Sequence, residues 1–238
     1  MQTSDVEYQA DDRRMVGYLA VPDEDGPRPA VLVCHEGPGL DDHAKARARQ
    51  LAEMGYVAFA LDYIGDGKPL PDMGATMKAL GPLMKEPQKI RDIGRAGLDI
   101  LLGQPKTDAG RVAAIGFCFG GTMSLELARG GADLKAVVGF HAGLATARPD
   151  DAANIVGKIL VLIGAEDPII PPQQRAAFEE EMRKGNVDWR MNLYGGAAHS
   201  FMNVSASQMN TPGIAYHAPT EARAWQAMLD LFAETIDA

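Results

Sequence analysis

Short apolar runs of strand length alternate with longer segments of helical periodicity along almost the whole chain. The runs include Ala30–Cys34, Val57–Tyr63 and Lys158–Gly164, which are apolar at most of their positions. A continuous apolar run of this length is typical of a strand that is buried on both faces of a parallel sheet. The alternation therefore predicts an α/β fold, with a mostly parallel sheet flanked by helices on both faces.

The remaining periodic segments complete this alternation. Further strands are predicted at Met15–Val21, Arg111–Phe117, Lys135–Phe140 and Val187–Tyr194; helices are predicted at Asp41–Met54, Glu86–Gly103, Pro171–Gly185 and Ala218–Ile236, with another directly after Phe117. No internal repeat or linker interrupts the pattern, so we expect residues 1–238 to form one domain. The insertion at residues 65–86 is rich in glycine and proline, and we expect it to form a rim or lid over a site.

The charge balance limits the partners that the protein can have. The chain carries a formal net charge of -9, with 23% charged and 46% hydrophobic residues. An acidic protein binds nucleic acid or an anionic membrane poorly, so we expect neither as a partner. Acidic residues near the N-terminus disfavour a signal peptide, and no apolar run has the length of a membrane span. We therefore expect a cytoplasmic protein.

The stretch GFCFGGTMSLELA, from Gly116 to Ala128, joins a predicted strand to a predicted helix through a glycine-rich turn. Its first five residues follow the nucleophile-elbow pattern G-x-S-x-G, with Cys118 in place of serine. The positive N-terminus of the following helix favours a thiolate at this position. Free cysteines are also often buried structural residues, so the motif alone leaves both interpretations open.

Two further residues supply the partners of a catalytic triad. In α/β-hydrolases the nucleophile, the acid and the histidine occur in that chain order, and each follows a strand. Asp167 follows the strand that ends at Gly164, and His199 follows the strand that ends at Tyr194. The order and the strand context favour a Cys-His-Asp triad over three unrelated loop residues.

Other chemistries have weaker support in the sequence. His35, Asp41, Asp42 and His43 are close together but lack a recognised metal-ligand spacing, so we expect no bound metal. No nucleotide-binding glycine motif is present, and we expect no cofactor. The alternative from another class is a catalytically silent protein that binds a small ligand or senses oxidation through Cys118.

Four motifs together resemble those of the dienelactone hydrolase family: CHEGPGL at Cys34–Leu40, GFCFGG at Gly116–Gly121, GAEDPIIP at Gly164–Pro171 and AAHSF at Ala197–Phe201. The resemblance runs from Val31 to the C-terminus. It implies an α/β-hydrolase fold, a Cys-His-Asp triad without a cofactor, and hydrolysis of small lactones or esters through an acyl-cysteine. General carboxylesterase or thioesterase activity on the same triad is the alternative.

The resemblance also implies roles for individual residues. Cys118 would be the nucleophile, His199 the general base and later acid, and Asp167 the group that orients the histidine. Glu36, from the HEGPG stretch, would lie beside the cysteine. A carboxylate there would keep the resting thiol neutral and help to deprotonate it once substrate has bound.

The oxyanion hole and the substrate pocket are the next expectations. The backbone N–H groups of Phe119 and Gly37 are expected to bind the oxyanion. Four residues after the histidine, Asn203 stands where the family has an arginine that holds a substrate carboxylate, which puts the dienelactone substrate in doubt. The insertion offers other cations that could reach the pocket: Lys68, Lys78 and Lys85.

Three lesser predictions complete the interpretation. His141 follows a predicted strand, and we expect it to be a structural hydrogen-bond donor. The methionines of the insertion, Met73, Met77 and Met84, either line an apolar pocket or pack a helix against the body. The expected ligand is a small-molecule ester or lactone, and the expected assembly is a monomer or a small homo-oligomer.

Overall fold

All eight strands of the computed structural model, which describes residues 1–237, lie in a single sheet. The strands are β1 Gln2–Ala10, β2 Arg13–Val21, β3 Arg28–Cys34, β4 Val57–Leu61, β5 Thr107–Phe117, β6 Ala136–Phe140, β7 Lys158–Gly164 and β8 Trp189–Tyr194. Their order in the sheet is β1-β2-β4-β3-β5-β6-β7-β8. β2 is antiparallel to both β1 and β4, whereas every other neighbouring pair is parallel. The prediction of a mostly parallel sheet is confirmed.

Residues 1–237 form six α-helices. They are α1 Asp42–Glu53, α2 Met73–Lys85, α3 Pro87–Leu102, α4 Phe119–Arg129, α5 Pro172–Lys184 and α6 Ala218–Thr235. α1 begins where the side chain of Asp41 accepts the backbone N–H of Ala44 at 3.0 Å. α3 and α5 begin with proline, whose missing N–H costs nothing at the first helical position.

The buried strands serve two cores, because successive side chains of a strand point to opposite faces of the sheet. In β3, Leu32 packs on the face that carries α3, α4 and α5, whereas Val31 and Val33 pack on the face that carries α1 and α6. All three side chains are fully buried. The two-sided packing explains why the strand runs are apolar throughout, and it confirms the predicted α/β class.

Two elements differ from the expectation. The sequence pattern does not predict β1, an edge strand whose first residues, Gln2–Asp5, are exposed. The insertion at 65–86 is not simply a long loop, because Met73–Lys85 forms α2. This helix begins after the N-cap Asp72 and contains Pro82, and its buried face includes Leu80.

The carboxyl ends of the parallel strands meet at one edge of the sheet, which is where ligands bind in open α/β folds. The loops after β3, β5, β6, β7 and β8 therefore converge there and contribute to one cavity. None of the helices within residues 1–237 is both long enough and apolar enough to cross a bilayer.

Candidate active site

Cys118 occupies a strained turn between β5 and α4. Its backbone φ of 53° and ψ of -119° are values that residues with a Cβ rarely adopt. The turn is tight: a Cβ on Gly116 would lie 2.1 Å from the carbonyl oxygen of Gly120, and a Cβ on Gly120 would lie 2.2 Å from that of Cys34. Strain of this kind persists only where the surrounding structure enforces it, and it is concentrated at functional sites. This is the strand–turn–helix geometry that GFCFGG predicts.

The loops after β7 and β8 bring Asp167 and His199 together, as the motif order predicts. Nδ1 of His199 lies 2.7 Å from Oδ2 of Asp167. Oδ1 of the same carboxylate accepts the backbone N–H groups of Ile169 at 2.8 Å and Ile170 at 3.3 Å. Because an ionised carboxylate only accepts hydrogen bonds, Nδ1 carries a proton. Asp167 is thus fixed by its loop and orients the imidazole.

The surroundings of His199 favour its protonated form. Burial lowers the pKa of the imidazole, but the hydrogen bond to Asp167 and the interaction with the Cys118 thiol outweigh burial and raise the pKa to about 10. Nε2 has no well-aligned hydrogen-bond partner within residues 1–237, so the thiol is near the ring without being aligned to it. Such loose geometry is common before substrate binds. The imidazole can therefore take a proton and hold it.

Glu36 lies in the loop after β3 and is only 8% exposed, so it is not a surface acid. Its Oε2 accepts a 2.6 Å hydrogen bond from the side-chain amide of Asn203. Its Oε1 has no hydrogen-bond partner in the described part of the chain. Burial raises the pKa of this carboxyl, although Asn203, Ser200 and His199 act in the opposite direction.

His141 follows β6 and is fully buried beside Cys118. The backbone N–H of Cys118 is shared between the carbonyl oxygen of Phe140 at 3.0 Å and Nδ1 of His141 at 3.1 Å, so this nitrogen accepts, whereas we expected the ring to donate. Its Nε2 lies 3.8 Å from Oε1 of Glu36 and has no hydrogen-bond partner within residues 1–237. Burial holds the pKa of His141 well below its ordinary value, and the ring is neutral.

A cavity of about 440 Å³ opens onto Cys118 and His199. Its mostly apolar wall comes from α2, the start of α3 and the loops after β6, β7 and β8. The methionines of the insertion line this space together with Leu80, whereas Leu83 is buried outside the lining, so α2 both lines the cavity and packs against the body. The three methionines are about half exposed: Met73, Met77 and Met84.

Within residues 1–237, the charged groups of the cavity lining offer a substrate carboxylate no lysine or arginine. In the described part of the chain no lysine or arginine lines the cavity, whereas two carboxylates do, Glu36 and Glu126. The lysines of the insertion lie outside the lining. Asn203 is also absent from it, since its side chain is buried against Glu36. Among residues 1–237, no three histidine, cysteine, aspartate or glutamate side chains are grouped to hold a metal ion.

The two backbone amides expected to form an oxyanion hole both border this cavity. Phe119 is the first residue of α4, and a helix leaves its first N–H groups without an internal partner. Gly37 lies in the loop after β3, where a Cβ would come within 3.0 Å of a side-chain carbon of Leu80. The close approach of α2 explains why a small residue is found there.

A second buried cluster of charges joins α3, α4 and α5. Arg129 donates to Oε1 of Glu126 at 3.0 Å and to the two oxygens of Glu181 at 2.7 and 2.9 Å. Arg91 donates to the other oxygen of Glu126 at 2.9 Å and to Asp151 at 2.6 Å. The sequence gives no sign of this cluster, because its members come from four separated segments of the chain.

Comparison with known proteins places this fold and site in one family. The model of the dienelactone hydrolase family matches residues 15–236. A solved structure named m3DLH is 44% identical, with a TM-score of 0.95 over 99% of this chain and 98% of its own. A crystal structure of a dienelactone hydrolase-like promiscuous phosphotriesterase from metagenomic libraries is 41% identical, with a TM-score of 0.93 over 98% of each chain.

A curated relative from Yersinia pestis gives the same indication from sequence alone. It is named provisionally as a carboxymethylenebutenolidase and is 28% identical over 229 residues, which are 91% of this chain and 82% of the relative. The family match extends from β2 to the end of α6, so it includes every motif that carries the resemblance. The chain therefore belongs to the dienelactone hydrolase family and is a hydrolase that acts on ester bonds.

Proposed function

We propose that the protein hydrolyses small neutral lactones or esters through an acyl-cysteine intermediate on Cys118. The observation that carries this proposal is the strained Cys118 in one cavity with His199, whose pKa is raised and whose ring is bound to Asp167. Family membership supports ester hydrolysis, and this geometry adds a nucleophile, a base and an orienting acid.

The reaction has two halves. In the first, His199 takes the thiol proton and Sγ of Cys118 attacks the carbonyl carbon, while the N–H groups of Phe119 and Gly37 stabilise the oxyanion. The C–O bond then breaks, His199 protonates the leaving oxygen, and the acyl group remains on sulfur as a thioester. In the second half, His199 takes a proton from water, the resulting hydroxide attacks the thioester, and the C–S bond breaks to release the acid and the thiol.

Glu36 provides a second acceptor for the thiol proton. It lines the same cavity as Cys118. Because burial raises the pKa of Glu36, this carboxylate accepts a proton more readily than an exposed glutamate would. Formation of the thiolate thus depends, through Glu36, on whether substrate has bound in the cavity, as the family resemblance implies.

The charge of the cavity selects the substrate. A lactone that carries a carboxylate would enter a space that no lysine or arginine of the described residues lines. Glu126 is already paired with two arginines outside the lining, and Glu36 is bonded to an amide. Removing the substrate carboxylate from water without a counter-ion is strongly unfavourable. A neutral ester avoids this cost, and the flexible methionine side chains of α2 adapt to apolar acyl groups. We therefore infer neutral rather than anionic substrates.

Two other substrate classes use the same site. General carboxylesters and thioesters remain the alternative, because the triad acts on the carbonyl carbon of both. Neutral phosphotriesters are a second candidate, since the relative that is 41% identical is described as a promiscuous phosphotriesterase. Neutral phosphotriesters, like neutral esters, carry no charge, and the cavity favours uncharged substrates.

A panel of matched substrates tests the proposal. Each pair contrasts a neutral compound with a carboxylate-bearing analogue: a simple lactone against a dienelactone, and a p-nitrophenyl butyrate against a p-nitrophenyl hemisuccinate. A thioester and a neutral phosphotriester complete the panel. We expect kcat/KM to be at least about 10-fold higher for each neutral member, and mass spectrometry to find the acyl group on Cys118. Faster hydrolysis of the carboxylates, or an acyl group on another residue, would contradict the proposal.

A further inference from the structure

His141 is a buried, strained residue at the end of the strand next to the nucleophile's strand. Its φ of 40° lies in the left-handed region, as does the φ of Cys118. β5 and β6 are parallel neighbours, and Phe117 pairs with Phe140, so the residues that follow them are adjacent. The ring packs edge-on against His199 and Phe201, with centroid distances of 5.1 Å to each. Strain at such a position calls for a function.

The hydrogen bonds of His141 fix its tautomer. Nδ1 accepts from the backbone N–H of Cys118, which it shares with the carbonyl oxygen of Phe140 at 3.0 Å, so in the neutral ring the proton is on Nε2. That N–H faces Oε1 of Glu36 at 3.8 Å. Both atoms are buried, and neither has a hydrogen-bond partner in the described part of the chain. A donor without an acceptor therefore faces an acceptor without a donor, and a small movement joins them.

We propose that His141 is a positioning residue whose ring links the backbone of the nucleophile to the carboxylate of Glu36. Nδ1 holds the amide of Cys118, and the Nε2 proton serves Oε1 of Glu36 while Asn203 serves Oε2. The two donors fix the plane of the carboxylate relative to the thiol. This role rests on the proposed function, because it matters only where Cys118 is the nucleophile.

The surroundings of Glu36 determine what loss of this donor would do. The titratable groups that face the carboxylate are Asp41, Tyr63, Cys118, His141 and His199. Asp41 disfavours the charged carboxylate, whereas Asn203 and His199 favour it. Since His141 is neutral, it acts on Glu36 as a hydrogen-bond donor and not as a cation. Without that donor the pKa of Glu36 rises further.

Two isosteric replacements separate the two contacts of the ring. His141→Asn places an amide near Nδ1 and lacks a donor at Nε2, whereas His141→Gln keeps a donor near Nε2 and loses the acceptor for Cys118. Asparagine tolerates a positive φ better than glutamine, so a purely structural role makes Asn the better replacement. Our proposal makes Asn the worse replacement. We expect kcat/KM to fall about 10- to 100-fold in His141→Asn, as it does when an orienting partner is removed in other sites, and less than about 5-fold in His141→Gln.

The pH profile and a double-mutant cycle measure quantities that would not change if the role of His141 were purely structural. The acid limb of kcat/KM should rise by about one pH unit in His141→Asn and stay in place in His141→Gln. It should also stay in place in His43→Gln, which removes a buried histidine that is bonded to Arg47 at 3.3 Å and not to Glu36. In a Glu36→Gln background, His141→Asn should cost less than about 2-fold. An equal penalty with and without Glu36, or a better His141→Asn than His141→Gln, would overturn the proposal.

The intact protein offers a check that does not depend on the folding of variants. Nitrogen-15 NMR of the imidazoles should place the neutral proton of His141 on Nε2, and a proton on Nδ1 would refute the assignment. Cys118→Ala distinguishes the two levels of inference. Activity in Cys118→Ala overturns the proposed function, whereas an inactive Cys118→Ala with a fully active His141→Asn overturns only the role of His141.

Discussion

Two buried clusters of polar side chains border the same cavity and differ in how completely their atoms are paired. In the cluster around Arg129, both oxygens of Glu126 and both oxygens of Glu181 accept from a guanidinium. Among the described residues, Nη2 of Arg91 lacks a well-aligned hydrogen bond but lies 2.8 Å from Oε2 of Glu126. In the cluster around Cys118, three buried atoms have no well-aligned partner within residues 1–237: Oε1 of Glu36, Nε2 of His141 and Nε2 of His199. Since buried polar groups are usually paired, the second cluster has hydrogen-bonding capacity left for a substrate or a moving proton.

Two glutamates of the same cavity show what the difference means. Glu126 is paired with Arg91 and Arg129, so its charge is compensated by two permanent cations. Glu36 is held by an amide, and burial raises its pKa. A carboxylate fixed between guanidiniums stabilises helix packing, whereas a carboxylate with an amide partner remains free to exchange a proton.

Removal of the nucleophile should have the largest effect and should leave the fold intact. We expect Cys118→Ala to lower kcat by at least about 1000-fold, or about 4 kcal/mol in the barrier. The free energy of unfolding should change by less than about 1 kcal/mol, because the thiol makes little contribution to packing. Steady-state kinetics and urea unfolding of the same preparation measure both quantities.

The second cysteine of the chain provides the matched control. Cys34 is fully buried at the end of β3, and burial raises the pKa of its thiol to about 12. Iodoacetamide should therefore label Cys118 and not Cys34 in the folded protein. Cys34→Ala should retain activity and lose stability by about 1 kcal/mol. Turnover that survives in Cys118→Ala and disappears in Cys34→Ala would reverse the assignment.

Disruption of the cluster around Arg129 should lower stability and leave kcat largely unchanged, which is the opposite of the effect expected for Cys118→Ala. Arg129→Met leaves Glu181 without a guanidinium at a buried site, and we expect it to cost about 3–5 kcal/mol of unfolding free energy. The catalytic groups do not contact Arg129, so kcat of the folded fraction should change by less than about 10-fold. Thermal and urea unfolding, with activity measured well below the transition, test this prediction.

An exposed ion pair is the control for the buried one. Arg95 pairs with Asp99 on the surface of α3 at 2.8 Å, and both side chains are more than half exposed. Arg95→Met should cost less than about 1 kcal/mol. In addition, Glu181→Leu should recover part of the stability that Arg129→Met loses, because no buried charge then lacks a partner. Equal stabilities of Arg129→Met and Arg95→Met would show that the paired cluster does not hold the helices.

The buried strands are the part of the fold that the sequence predicts best. Lys158–Gly164 has the same bounds in the prediction and in the structure, because both of its faces require apolar side chains. β1 is missed, since an edge strand with an exposed, polar first half lacks that signature. α2 is missed because Gly81 and Pro82 disfavour a helix, and its formation depends on tertiary packing of Leu80 and Leu83.

The positions of Cys118, Asp167 and His199 follow from their order, because the loops after parallel strands converge at one edge of the sheet. The hydrogen-bond partners within the site do not follow from motifs. Asn203 turns toward Glu36 instead of the cavity, and His141 accepts where a donor was expected, because its positive φ directs the ring at the amide of Cys118. Such details depend on side-chain rotamers and backbone strain, which spacing does not encode.

Acid should lower the free energy of unfolding through the histidines, and we expect this effect to be smaller than those of the variants above. Burial lowers the pKa of His35 to about 4 and that of His43 to about 3. In the unfolded chain a histidine titrates near about pH 6.5, so below that pH the unfolded state binds more protons and stability falls as the pH falls. Burial raises the pKa of Glu36 and Glu181, and these two groups oppose the loss. Carboxylates whose pKa is lowered in the folded protein, such as Glu234 at about 2, add to the loss, so the histidine contribution has to be isolated by replacement.

Single replacements in urea unfolding at about pH 7, 5.5 and 4.5 resolve this contribution. Each buried histidine adds about 1.4 kcal/mol per pH unit between its folded and unfolded pKa values. His43→Gln should therefore flatten the dependence of the unfolding free energy on pH by about that slope between pH 6 and 4. If His43→Gln does not change the dependence of the unfolding free energy on pH, the folded state protonates this ring without cost. The electrostatic contrast between the two clusters would then rest on the carboxylates alone.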